Sequence, residues 1–83
     1  MNVTASDQLK FDPANITVKT CQLVIWKVTG SAPHTFTAKS GATFDSGNKN
    51  KDETFTQGFP TAGTIHYYCK IHPTMTGTIT VTS

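Results

Sequence analysis

Hydrophobic residues along this chain recur mostly at every second position, in short runs bounded by Gly or Pro. Ile16 and Val18 share one face of "NITVKT", and Ile79 and Val81 share one face of "GTITV". A period of two puts alternate side chains on the two faces of a strand, so these runs predict half-buried β-strands. No segment keeps a helical period for more than a turn or two. The pattern therefore predicts an all-β chain.

Two further stretches add strands to this prediction. "QLVIWKV" is a more continuous apolar run, which is typical of an interior strand. In "TIHYYC", Ile65, Tyr67 and Cys69 alternate with His66 and Tyr68, so the first three are expected to face inward. Seven or eight short strands in one small chain predict an antiparallel β-sandwich or barrel.

The least patterned stretch reads "KSGATFDSGNKNKDE". Gly41 and Gly47 break it into turns, so we expect a loop with one short strand and with Phe44 filling the core beneath it. Lys49 and Lys51 belong to the basic stretch "GNKNKDE", which Asp52 and Glu53 interrupt at once, as is typical of a solvated turn.

Length and charge narrow the classes of function. The 83 residues suffice for a single domain, residues 1–83, and leave no room for a second core. A net charge of +2 without a long run of one sign argues against nucleic-acid binding. No apolar run approaches the ~20 residues of a membrane span, and no signal-peptide pattern is present. We therefore expect a soluble chain whose export signal has been removed.

The two cysteines, Cys21 and Cys69, admit a disulfide as one interpretation. It has some support, because "YYC" is similar to the late strand of an immunoglobulin domain. Trp26, however, follows Cys21 by only five residues and would share its strand, whereas an immunoglobulin domain carries its Trp on the next strand. That interpretation, a disulfide-bonded binding domain, also leaves His72 and Met75 without a role.

Cys69, His72 and Met75 follow one another at spacings of three and three in "CKIHPTM". A Cys at the end of one strand, a His across a tight turn and a Met at the start of the next strand can approach a single ion. Thiolate, imidazole and thioether together favour copper over zinc, because the thioether is a good ligand for Cu(I) and a poor one for zinc.

A trigonal copper centre needs a second His, and the chain offers two candidates. His34 lies just after a turn that contains Pro33, at the end of the sandwich where the "CKIHPTM" loop is expected. His66 lies three residues before Cys69 on the same strand, so its side chain should face away from Cys69. We therefore expect His34 to be the ligand and His66 to be a surface residue.

At these residues the sequence resembles the cupredoxins, and within them the plastocyanin-like and amicyanin-like blue copper proteins. The resemblance runs from about Leu9 to Val81 and includes, in order, "FDPANITVKT", "APHTFTA", "FPTAGTIHYYC" and "MTGTITV". The short spacing of "CKIHPTM" is most similar to amicyanin. The resemblance implies a small antiparallel Greek-key β-sandwich of seven to eight strands.

Position by position, the resemblance implies that His34, Cys69 and His72 surround one copper ion in a plane, with Met75 as a long axial contact. Two departures affect this inference. The family often carries Asn directly after the first ligand His, and Thr35 stands there in this chain, so the link between the ligand loops should be weaker or built from the hydroxyl. A Gly is usual where Cys21 lies.

A copper ion with three tight ligands and one weak ligand has no obvious open position for a substrate, so we expect an electron carrier and not an enzyme. It would shuttle one electron between Cu(I) and Cu(II). Redox partners, for example a c-type cytochrome or an oxidoreductase, would dock a monomer at an apolar patch around His72. Thiol–copper chemistry indicates an extracytoplasmic site, periplasmic or at the cell surface. The alternative, a copper chaperone or storage domain, would need an open, exchangeable site.

Overall fold

The computed structural model describes residues 1–83 and contains eight strands and no helix. The strands are β1 (Asn2–Ala5), β2 (Phe11–Asp12), β3 (Asn15–Lys19), β4 (Leu23–Val28), β5 (Thr37–Ser40), β6 (Thr54–Gly58), β7 (Gly63–Tyr68) and β8 (Thr76–Thr82). They form two four-stranded sheets, in the orders β2-β1-β4-β6 and β3-β8-β7-β5. The predicted small β-sandwich is confirmed. No helix in the chain meets the length and hydropathy that crossing a membrane requires.

Strand direction is mixed within each sheet. β1 pairs with β4 and β3 pairs with β8 in parallel, whereas the other neighbouring strands run antiparallel. In the β3–β8 pair, Ile16 lies opposite Ile79 and Val18 lies opposite Val81. These facing apolar pairs put the buried side of both strands on the same face of the sheet.

β4 is an interior strand, as expected, but it is buried on one face only. Val24, Trp26 and Val28 are fully buried, while Leu23 and Ile25 are 54% and 37% exposed. The apolar run therefore does not indicate burial on both faces. The outer face of this sheet meets water, and the strand alternates as an ordinary sandwich strand does.

An aromatic cluster fills the space between the sheets. Trp26 is fully buried, with ring centroids 5.5–5.7 Å from four neighbours: Phe36, Phe44, Phe55 and Tyr67. Phe44 is 7% exposed, so its predicted role as a plug beneath the loop is confirmed. Tyr67 and Cys69 are two positions apart and both point into the core, so the aromatic cluster lies next to the Cys69 thiol.

The stretch between β5 and β6 is a loop with two single bridges to the preceding segment. Thr37 bridges Asp45, and His34 bridges Lys49. The His34 amide donates to the Lys49 carbonyl at 2.9 Å, and the Lys49 amide donates to the His34 carbonyl at 2.8 Å. Lys51 lies in an exposed turn, as predicted, and the backbone of Lys49 beside it pairs with the His34 segment and positions it.

Candidate metal centre

Three side chains of the metal-ligating type meet at one end of the sandwich. His34 precedes β5, Cys69 directly follows β7, and His72 lies in the loop between β7 and β8. The Cys69 Sγ atom is 3.8 Å from His34 Nδ1 and 3.7 Å from His72 Nδ1. The two imidazole rings have centroids 5.1 Å apart. Folding thus brings together the three side chains that the sequence analysis singled out.

The loop from Cys69 to Met75 is closed by its own backbone. The Cys69 amide donates to the Met75 carbonyl at 3.1 Å, and the Met75 amide donates to the His72 carbonyl at 2.9 Å. Because of these bonds, Met75 returns to the position beside Cys69 as β8 begins. Its side chain is only 2% exposed, so the thioether is buried at the same end of the sandwich as the thiol.

The loop before His34 is held by Asp7, in the turn after β1. The Asp7 carboxylate accepts hydrogen bonds from the amides of Ala32 at 2.9 Å and Ser31 at 3.0 Å, and from the Ser31 hydroxyl at 3.2 Å. These two amides lower the pKa of Asp7 below its usual value. A Cβ on Gly30 would collide with the Asp7 carboxylate, so this close approach requires Gly.

His34 itself is fully buried. Burial lowers the pKa of the His34 imidazole, and repulsion from His72 lowers it further, while the Asp7 charge acts in the opposite sense. A lowered pKa keeps the ring neutral, and a neutral imidazole is the form that binds metal. His72 is half-buried and is therefore the more accessible of the two rings.

Thr35 links the two ligand loops through both its backbone and its side chain. Its amide donates to Cys69 Sγ at 3.3 Å, and its hydroxyl accepts from the Lys70 amide at 2.7 Å. The sequence analysis expected the link between the ligand loops to be either weaker or built from the Thr35 hydroxyl, and the structure shows the hydroxyl link. The donor to sulfur is a backbone group, so any residue except Pro would supply it, whereas the acceptor for the Lys70 amide requires the Thr35 side chain.

The donor spacing suits a single first-row metal ion. The three donor atoms all lie within 4.8 Å of one another. A metal with bonds of about 2.3 Å to sulfur and about 2.1 Å to nitrogen separates these donors by roughly 3.8 Å in a trigonal arrangement. The observed separations of 3.7 and 3.8 Å match that value. Thiolate and imidazole donors with a buried thioether nearby form a soft set that favours copper.

The remaining candidates lie outside this cluster. His66 is exposed, with Nδ1 3.3 Å from the Thr78 hydroxyl, as predicted for a surface residue. Cys21 is exposed and Cys69 is buried, and both are free thiols, so the structure does not support a disulfide between them.

Residue patterns missed Asp7, Asp45 and Lys49, each of which holds a segment of the site. Asp7 acts on amides 24 and 25 positions away, and the bond between Asp45 and the Lys70 side chain spans 25 positions. Sequence spacing carries no signal for such contacts. Only the crowding of Asp and Asn around Gly47 hinted at a structured turn.

Comparison with known proteins agrees with this geometry. A family model described as copper-binding proteins of the plastocyanin/azurin family matches residues 1–82. A search of curated proteins found no significant match.

Solved structures show the same fold. A purple cupredoxin from Nitrosopumilus maritimus superposes with a TM-score of 0.91 at 22% identity, over 98% of both chains. A Met-to-Ala mutant of amicyanin in its Cu(I) form gives 0.89 at 27% identity, over 98% of this chain and 80% of that one. A reduced Pro-to-Gly mutant of amicyanin gives 0.89 at 25% identity with the same coverage. From the family match, the fold and the soft donor set together, this chain belongs to the plastocyanin/azurin family of copper-binding proteins.

Proposed function

We propose that this protein is a type 1 copper electron carrier. It holds one copper ion between His34, Cys69, His72 and Met75, and it passes single electrons between redox partners. The observation that carries the proposal is the convergence of one thiol and two imidazole Nδ1 atoms at 3.7 and 3.8 Å, in a chain of a copper-binding family.

The surroundings of the donor atoms support electron transfer in preference to catalysis. Copper, when bound, supplies a one-electron change between Cu(I) and Cu(II). His34 and Cys69 are fully buried and are held by backbone and amide hydrogen bonds from both sides of the site. Because these bonds form within the protein itself, the donors are in place before metal arrives and move little when the charge changes. The enclosed donor set leaves no open position for a substrate.

The route for electrons in and out leads through His72. It is half-buried, whereas the other three proposed ligands are buried. Pro33, Pro73 and Ile71 are exposed around it, with Ile71 at 39%. A small apolar face around a metal ligand suits brief docking, because weak transient complexes bury little surface. We propose that a monomer docks here onto a redox protein, such as a c-type cytochrome or an oxidoreductase.

The proposal includes a setting for the protein. The chain would be a single domain, residues 1–83, working outside the cytoplasm, in a periplasm or at a cell surface. A copper-binding thiol is best kept away from the thiol-rich reducing cytosol.

Addition of Cu(II) to the protein tests the centre directly. We expect an intense visible band from thiolate-to-copper charge transfer, because Cys69 is the only thiol among the proposed donors. Cys69→Ser should abolish the band, and Cys21→Ser, at the exposed thiol, should retain it. A band that survives in Cys69→Ser, or that disappears in Cys21→Ser, would contradict the proposed ligand set.

Copper exchange separates a carrier from a chaperone or storage domain. A chaperone needs a site from which metal leaves readily, whereas three of the four proposed donors here, those of His34, Cys69 and Met75, are buried. We expect the visible band to persist for hours against an excess of chelator at neutral pH. Loss of the band within the mixing time would favour the chaperone.

A further inference from the structure

A closed circuit of hydrogen bonds connects the molecular surface to the loops of the metal centre. The Thr35 and Thr37 hydroxyl oxygens lie 3.2 Å apart, and the Thr37 hydroxyl is 3.2 Å from Asp45 Oδ1. Asp45 Oδ2 accepts from the Lys70 ammonium group, and the Lys70 amide donates to the Thr35 hydroxyl oxygen at 2.7 Å. We call these four residues the hydroxyl circuit.

The chemistry of its members fixes the direction of each bond. A carboxylate can only accept, so the Thr37 hydroxyl donates its proton to Asp45. Each hydroxyl has a single proton, so Thr37 must accept from the Thr35 hydroxyl. The Thr35 oxygen then presents its lone pairs to the Lys70 amide. Every proton in the hydroxyl circuit therefore has one place, and Asp45 determines the whole order.

Burial makes this order costly to break. Thr35 and Thr37 are only 2% and 7% exposed. A buried hydroxyl that loses its partner bears a desolvation penalty, because water does not replace the lost bond. Asp45 is well suited to anchor the hydroxyl circuit because its carboxyl stays ionised. The Lys70 ammonium group has the largest effect in holding the pKa of this carboxyl below the usual range, and the Gly47 amide, which donates to it at 2.9 Å, has the next largest.

We propose that Thr37 and Asp45 are positioning residues of the copper centre, acting through the Thr35 hydroxyl on two amides: that of Thr35, which donates to the Cys69 sulfur, and that of Lys70, the residue after Cys69. The Thr35 amide donates to that sulfur at 3.3 Å, and the Thr35 hydroxyl is held by two partners, the Thr37 hydroxyl and the Lys70 amide. Hydrogen bonding around a cysteine sulfur tunes the reduction potential of such centres. The effect on potential rests on the proposed function, whereas the ordering of the amides is a property of the protein without metal.

The simpler interpretation is an ordinary surface ion pair. The Lys70 and Asp45 side chains are 51% and 42% exposed, and exposed pairs contribute little on their own. The two interpretations differ at Thr37, which carries no charge. Thr37→Val keeps both charges and the side-chain volume but removes the hydroxyl. Thr37→Ser restores the hydroxyl and is the matched control.

Amide hydrogen exchange in the copper-free protein tests the ordering. With one hydrogen bond lost from the hydroxyl circuit, the Lys70 amide should exchange about five- to tenfold faster in Thr37→Val. In Thr37→Ser the rate should stay within about twofold of the original, a limit well below the effect of one hydrogen bond. Equal rates in the original protein and Thr37→Val would overturn the proposal.

The reduction potential of the copper-loaded protein tests the effect on the sulfur. A looser Thr35 amide withdraws less charge from the thiolate, so Thr37→Val should lower the reduction potential. At a fixed applied potential, the ratio of Cu(II) to Cu(I) should rise about two- to threefold, with little dependence on salt. Asp45→Asn should shift the potential the opposite way and in a salt-dependent manner, because the amide oxygen still accepts from Thr37 while the negative charge and its ion pair with Lys70 are lost.

An unchanged potential in Thr37→Val, or a shift with the salt dependence of Asp45→Asn, would overturn the proposed effect on the sulfur. The ordinary surface ion pair would then be the correct interpretation. If the unmodified protein gives no thiolate–copper band at all, the proposed function fails. The exchange measurement on the copper-free protein still decides the role of Thr37 in that case.

Discussion

Cys21 adopts a φ of 67°, in the left-handed region that side chains with a Cβ rarely occupy. The surrounding backbone imposes this conformation, because the Cys21 amide donates to the Phe59 carbonyl at 2.9 Å in the turn between β3 and β4. The resemblance to the cupredoxins led us to expect Gly at this position, and the dihedral angle explains why. Cys21 is therefore a strained residue with an exposed thiol, far along the chain from the metal-centre loop.

We expect Cys21→Gly to raise the free energy of unfolding by about 1 kcal/mol, because Gly adopts this conformation without a steric penalty. Cys21→Ser keeps the Cβ and should change it by less than about 0.5 kcal/mol. Denaturant unfolding of the copper-free protein under reducing conditions measures both. Equal stabilisation by the two substitutions would show that the thiol, and not the backbone, is the source of the strain.

Met75 should tune the copper centre more than it retains the metal. Replacing its thioether with the amide oxygen of Met75→Gln should keep copper bound and lower the reduction potential, because the harder oxygen donor favours Cu(II). Voltammetry and the visible spectrum measure this. A higher potential, or loss of copper altogether, would count against an axial role. The other methionine, Met1, is exposed and provides a control. Met1→Gln should leave the potential unchanged.

Between β7 and β8, close packing depends on one glycine. Gly77 pairs with Tyr67 across the two strands, and a Cβ on Gly77 would overlap the Tyr67 ring. That ring is 1% exposed and lies 4.7 Å from the Phe11 ring, so it has no space into which to move. The same enclosure raises the pKa of Tyr67 to about 12. The Tyr67 ring is thus closely enclosed where β7 pairs with β8.

Gly77→Ala should destabilise the fold by about 1–3 kcal/mol, as overpacking of a rigid core does. Gly58→Ala in β6 is the matched control, since its Cβ would approach only Leu23 Cδ2 at 3.3 Å, at the tip of an exposed side chain. It should change stability by less than about 0.5 kcal/mol. Denaturant midpoints compare the stability of the two variants. Similar losses of stability in both would mean that the Tyr67 ring shifts to accommodate the added methyl group.

Strand faces were predictable wherever polar residues mark the outer side. The alternation of polar and apolar residues in β3, β7 and β8 is unambiguous. In β4 the exposed residues Leu23 and Ile25 are also apolar, so the sequence does not show which face of this strand meets water. Alternation is the same for parallel and antiparallel neighbours, so the parallel pairs could not be inferred. Residue type and spacing singled out His34, Cys69, His72 and Met75; the contacts that hold them link residues with no regular spacing.

For the molecule as a whole, acid should weaken the fold partly through Asp7. Its pKa is lowered by the amides of Ala32 and Ser31, so the unfolded chain takes up this proton first as pH falls. The stability from these contacts is complete above about pH 3.9, the reference value for Asp, and is lost as pH falls through the lower folded-state pKa. Asp45, also lowered, adds to the same decline.

We expect the unfolding free energy of copper-free Asp7→Asn to be lower at neutral pH and to decline less steeply in acid. Asp12→Asn is the matched control, because Asp12 is exposed and its carboxylate accepts no hydrogen bond in the structure. Chemical unfolding at a series of pH values gives the two profiles. If Asp7→Asn declines as steeply as Asp12→Asn, the Asp7 contacts contribute nothing to acid sensitivity.

The parallel pairing of β3 with β8 joins strands from opposite ends of the sequence. Chains dominated by such distant pairings fold slowly, on the order of milliseconds to seconds, because a long loop must close before any contact compensates for the lost entropy. The Cys69–Met75 loop closes with the local pairing of β7 and β8, whereas His34 reaches Cys69 across 35 positions of the chain. In refolding experiments, the colour of the copper protein would then time this long-range approach and not the closure of the hairpin.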